Sequence, residues 1–188
     1  MITNWLQPSV IRWTLVVFAV IVAAAAFFIP DTPGSNGVWI YLFEIGRVPA
    51  DFRQMADRSV HPLALAVSLS LAMALGGIAA VLTTVTRINL SPLHRLIDNR
   101  NLTQRIITVM LCVLLIAAPL FVEQVMPQEY FATSFFQRVL LNRLWLALWV
   151  EMIFSLSYIC WFWVLFELRN AVAAVKNGIQ STRSGHSW

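Results

Sequence analysis

Charge is scarce in this chain. Only 12% of its 188 residues are Asp, Glu, Lys or Arg, and 59% are hydrophobic. Soluble domains carry about 25% charged and about 45–50% apolar residues, so the composition points to a membrane protein. Cysteine is scarcer still. Cys112 and Cys160 both fall in apolar runs, with no CxxC or Cys/His spacing. Thiol–quinone redox chemistry therefore has no motif to run on, and both are read as packing residues. His61, His94 and His186 lie outside the apolar runs, which argues against paired haem ligation within a bundle. There is no HExxH, no Gly-rich phosphate loop and no Ser–His pairing at a shared depth. The expectation is a protein that is not an enzyme and that uses no cofactor and no metal.

Long uncharged runs fill the space. Residues 13–29 and 106–122 give 17 each, residues 62–86 give 25, and residues 144–166 give 23 interrupted only by Glu151. About 20 helical residues cross a hydrocarbon core of about 30 Å. Transmembrane strands alternate in polarity over about ten residues, and these runs do not. Helices, which satisfy their own backbone in lipid, are the consistent solution. The first run has some signal-peptide character, with Arg12 before it and "AAAA" within it. It continues through Phe27, Phe28 and Ile29 to Pro30, so it reads as a retained anchor.

The expected fold is all-α, a four-transmembrane-helix bundle forming a single membrane domain over residues 1–188. Its spans are residues 13–29, 62–86, 104–122 and 142–167. Eight Lys/Arg (Arg12, Arg87, Arg95, Arg100, Arg105, Arg169, Lys176 and Arg183) fall on one side and five (Arg47, Arg53, Arg58, Arg138 and Arg143) on the other. The positive-inside rule then makes both termini cytoplasmic. Loops 30–61 and 123–141 face outward, and loop 87–103 and tail 168–188 face inward. Multi-pass membrane placement follows; if the compartment is bacterial, this is the inner membrane with the outer loops in the periplasm. The net charge of +4 is explained by anionic lipid at the inner Arg and Lys residues, not by nucleic acid.

Within loop 30–61, "VWIYLFEIG" is too short to span and suits an interfacial segment with aromatics at headgroup depth. "VPADFRQMADRS" reads as a short, solvated helix, with His61 close to Asp57. In the inner loop, Ser91 and Pro92 start a short surface helix over "PLHRLID". Tyr130, Phe131, Phe135 and Phe136 suggest a second aromatic anchor, and the last span is expected to run a turn or two past the membrane and fray near Gly178.

Two features inside the spans could carry recognition. Ala72, Gly76 and Ala80 repeat every four residues in span 2, as Ala19 and Ala23 do in span 1, which lets helix backbones approach closely. The stripe serves either packing of spans 1 and 2 or docking onto another protein's helix. The other feature is Glu151, about 12 Å below Arg143. An acidic residue there costs about 2.5–3.5 kcal/mol on insertion scales, so it should face the bundle, where its neutral form donates a hydrogen bond. Ser155 at i+4 and Tyr158 at i+7 share its face, and Ser68 and Ser70 lie at similar depth. No Lys or Arg is available within the spans. The stripe is therefore a polar knot between spans 2 and 4, a contact to a partner's helix, or, with a single titratable group, a poor proton path.

In layout, and in the basic, Asn-rich "LHRLIDNRNLTQRI" and the tail "FELRNAVAAVKNG", the chain resembles immunity proteins that protect bacteria from pore-forming colicins of the colicin A type. The resemblance implies a protein that binds a membrane-inserted toxin through its transmembrane helices and blocks channel opening. Alternatives are an accessory, assembly or conjugative exclusion subunit of a larger membrane complex, and a small transporter or channel.

Overall fold

The computed structural model describes residues 8–48, 50–85, 101–121 and 134–184. The expected inner-loop helix, the aromatics Tyr130 and Phe131, and the side chains of Phe135, Phe136, Lys176 and Arg183 lie outside the described residues or side chains. Among the described residues the structure is helical, with no strand. Its helices are α1 (Pro8–Phe28), α2 (Gly37–Gly46), α3 (Ala50–Arg58), α4 (Pro62–Val85), α5 (Leu102–Phe121), α6 (Ser134–Leu141) and α7 (Arg143–Ser184). Pro8 and Pro62 open α1 and α4, where a missing N–H costs nothing.

Three helices are long and apolar enough to cross a membrane, through Ile11–Phe28, Pro62–Val85 and Arg143–Ala173. The apolar stretch described in α5, Leu102–Ala117, is shorter. At 42 residues α7 is about 63 Å long, roughly twice a hydrocarbon core. It passes through Gly178 instead of fraying there. One glycine costs only about 1 kcal/mol, and the surrounding Ala, Lys and Gln are good helix formers.

α7 is the hub. It packs most extensively on α4 and also touches α1, α5 and α6. The main core joins Val22 and Ala26 of α1, Leu65 and Leu69 of α4, and Leu146, Val150 and Phe154 of α7. Near the middle of α7, Ala80 packs against an aromatic ladder, with ring centroids 6.1 Å apart for Tyr158–Phe162 and 6.0 Å for Phe162–Phe166.

The segment between α1 and α4 departs from expectation. Asn36 caps α2 by accepting from the Val38 N–H at 3.0 Å. α2 then runs down the side of α4 to Gly46, whose carbonyl accepts from Ser70 Oγ at 3.2 Å. A Cβ at Gly46 would come within 2.8 Å of the Ala66 backbone, so only glycine permits this approach. α3 climbs back and buries Phe52, Met55 and Ala56. Phe52 lines a small cavity with Met73 of α4, Ile116 of α5 and Ile153 of α7. Met73 lies about 16 Å along α4 from Pro62, so the hairpin reaches roughly halfway down the bundle. The polar residues of "ADFRQMADR" disguise an i, i+3, i+4 apolar stripe, and α3 is a wedge between helices, not a solvated helix.

α5 is tied to α7. Cys112 and Cys160, both buried and free, face each other where α5 meets α7. Residues without a motif in sequence are thus neighbours in space. Treatment of membranes with copper phenanthroline should give an intramolecular 112–160 disulfide, seen as a mobility shift that dithiothreitol reverses and Cys112→Ser abolishes. Absence of that link would place α5 elsewhere.

Candidate functional site

The end of the bundle where α1 stops and α4 and α7 begin, here the upper end, is closed by a polar clasp. Arg143, the first residue of α7, donates to the last carbonyls of α1, reaching Ala26 O at 3.3 Å and Phe27 O. Its other terminal nitrogen donates to Asp31 Oδ1. The same oxygen meets His61 Nδ1 at 2.5 Å, and the Asp31 carbonyl accepts from Leu63 N at 2.9 Å. Orphan carbonyls at a helix C-terminus favour a cation, and Arg143 supplies one from a neighbouring helix. His61 therefore pairs with Asp31, not Asp57, which binds Arg47 at 2.5 Å inside the hairpin. Ser59 Oγ accepts from the His61 backbone N–H at 3.0 Å and donates to Leu140 O at 3.1 Å, so it is a structural hydroxyl. Arg143 was visible in the sequence only as a flanking charge.

The opposite, lower end has a second set. Arg105 of α5 grips Glu167 of α7, with Nε at 3.0 and 3.1 Å from the two carboxylate oxygens and the nearest terminal nitrogen at 2.5 Å. Arg169 donates to Thr84 O at 2.9 Å, capping the end of α4 as Arg143 caps α1.

The expected stripe on α7 divides. Glu151, Ser155 and Tyr158 span an arc of about 60°, and that arc straddles the edge of the buried face. Glu151 is half-buried and turned to α1, where its carboxyl meets the backbone of Ala23, while Oε1 is buried with no hydrogen-bond partner. Ser155 is exposed. Tyr158 is half-buried, its hydroxyl 3.3 Å from Thr83 Oγ1 of α4. The polar contact between α4 and α7 is completed by a residue outside the expected stripe: Ser157 Oγ donates to Met73 O at 3.0 Å. Ser68 turns back to Leu65 O and Ser70 to Gly46 O, so neither joins Glu151.

The small-residue stripe is buried. Ala72 and Ala80 have no exposed surface, and Gly76 is covered by α7. A Cβ at Gly76 would lie 2.8 Å from Ser157 Cβ and 2.9 Å from Phe154 O. In this structure the stripe serves the α4–α7 contact within the chain. Comparison with protein-family models, curated proteins and solved structures gives no match.

Two predictions follow from these contacts. Gly76→Ala should destabilise the folded chain by about 1–3 kcal/mol through overpacking, read as a lower melting temperature in detergent. Gly77→Ala, whose Cβ would meet Trp161 at an ordinary 3.4 Å, should not. Equal melting of the two variants would deny the close α4–α7 approach.

The second concerns pH. The Arg143 hydrogen bond holds the Asp31 carboxyl below its usual 3.8; partial desolvation opposes this and His61 reinforces it. A depressed carboxylate contributes stability above its unfolded pKa, and that contribution is lost as pH falls through the folded value. Arg143→Gln should cost about 1–2 kcal/mol at neutral pH, mostly through the lost bonds to the α1 carbonyls, since the half-exposed Asp31 pair adds at most about 1 kcal/mol. It should also flatten the loss of melting temperature expected of the wild type on acidification below about pH 4. An unchanged acid limb in the variant would remove Asp31 from the clasp's energetics.

Proposed function

We propose that this chain is a four-span protein of the bacterial inner membrane, both termini cytoplasmic, that binds a second membrane-inserted protein through its transmembrane surface. Immunity against a pore-forming bacteriocin, by holding the toxin's hydrophobic helices and blocking channel opening, is the specific form we favour. The observation that carries the reading is the buried, unpaired carboxyl oxygen of Glu151. A buried oxygen without a hydrogen-bond partner is costly in an apolar medium, and by swinging from α1 to the adjoining exposed stripe the half-buried side chain would meet a donor on an incoming helix.

The surroundings support that use. Leu144, Leu148 and Ile159 are 56%, 55% and 50% exposed. With exposed Ser155 they form a stripe on α7 directly beside Glu151. An apolar stripe with one hydroxyl and one carboxyl at its edge suits a helix bearing a matching polar group. The Ala72, Gly76 and Ala80 stripe is engaged by α7 and contributes rigidity to that surface.

Survival of cells challenged with a pore-forming bacteriocin tests the proposal. Glu151→Leu, expressed at the wild-type level, should lose at least about tenfold in protection, consistent with loss of an interhelical hydrogen bond of about 1–2 kcal/mol. Glu151→Gln, which keeps a donor and an acceptor, should retain most of it. Full protection by both variants would exclude the carboxyl from recognition.

A further inference from the structure

The α2–α3 hairpin stops halfway down α4, and beneath its tip the bundle is open among the described residues. A groove of about 720 Å³ runs there, inside the range of about 300–1,000 Å³ common for ligand pockets. One wall is α4, through Gly77, Ile78, Val81 and Leu82; the other is α7, through Trp161 and Leu165, with Ile116 of α5 beside them. Ile45 and Val48 of the hairpin close its upper end next to Ser70. From Ser70 to Leu82 the groove follows α4 for about 18 Å, close to the roughly 15 Å depth of one leaflet's hydrocarbon.

Its shape selects the occupant. A helix of a partner protein or of a second copy needs a path across the whole core, and the hairpin blocks that path at mid-depth. A single acyl chain entering from the lower leaflet needs only half. The groove's lower mouth carries charge of the fitting sign. Arg169 lies one turn beyond Leu165 on the same face of α7. It is exposed, with one terminal nitrogen fixed on Thr84 O and its guanidinium held at the end of α4.

We propose that this groove binds one acyl chain of a phospholipid from the leaflet at the lower end, with the headgroup phosphate at Arg169. The site depends on membrane placement and not on the partner protein proposed above. Glu151 lies on a separate face, toward α1, so the two can fail independently.

Native mass spectrometry of the full chain, released from nanodiscs of equal phosphatidylglycerol and phosphatidylcholine, tests it. One retained phospholipid per chain is expected, enriched in phosphatidylglycerol. Ala74→Phe and Ile78→Trp, both at exposed positions on the groove wall, should remove it while melting within a few degrees of the wild type. Val17→Phe, on the exposed surface of α1, should leave it in place. Arg169→Gln should keep a bound lipid but lower the preference for the anionic headgroup about fivefold. Inorganic phosphate should not displace the lipid. A wild-type chain that retains none, a folded filler variant that retains as much as wild type, or displacement by phosphate alone would overturn the proposal.

Discussion

Arg143 holds together chain segments that are far apart in sequence. It reaches back 112 residues to Asp31, and 116 and 117 residues to the carbonyls that end α1. One guanidinium thereby fixes where α1 stops, where the following loop turns and where α7 starts. His61 adds the start of α4 through the same carboxylate oxygen. Exposed ion pairs contribute little, about 0–1 kcal/mol, and Asp31 is half exposed. The importance of the clasp is therefore positional: it satisfies helix-end carbonyls that a membrane's edge leaves poorly solvated, and it sets the relative height of three helices.

Height matters because the packing below depends on register. Lipid offers no hydrophobic drive for helix association, so close van der Waals contact and interhelical hydrogen bonds must supply it. Gly76 against Ser157, Ser157 against Met73 and Tyr158 against Thr83 provide both along one seam. Moving α7 by one residue, about 1.5 Å along and 100° around, would drive a larger side chain into the Gly76 position and turn Ser157 away. Arg169 on Thr84 O fixes the lower end of the same seam, so α4 and α7 are pinned at both ends with a tight contact between.

The helical class and the apolar runs were legible because each is a property of consecutive residues. Facing directions were not. Glu151, Ser155 and Tyr158 do share a face, but a stripe at the boundary between buried and exposed surface sends its members to different neighbours once α1 and α4 are in place. The hairpin was hidden for a related reason. Hydropathy detects length, and neither α2 nor α3 is long. What marks the hairpin is Gly46, a residue whose need for close backbone approach appears only when Ala66 lies against it. Likewise nothing in sequence joins Arg143 to Asp31 or Cys112 to Cys160, since those pairings follow from helix order around α7.

The wedge of α3 has opposite consequences for the two halves of the bundle. In the upper half Phe52, Met55 and Ala56 occupy the space among the helices and leave only a small cavity beside Phe52. In the lower half nothing takes their place among the described residues, and the gap between α4 and α7 stays open to the side. A bundle built only from full-length spans would close along its whole length or not at all. A half-length insertion makes one half solid and the other receptive. The same asymmetry leaves the surface around Glu151 backed by the solid half, where Val150 and Phe154 are locked in the core. A carboxyl on a rigid helix keeps its position, which is what the recognition proposed for it would require.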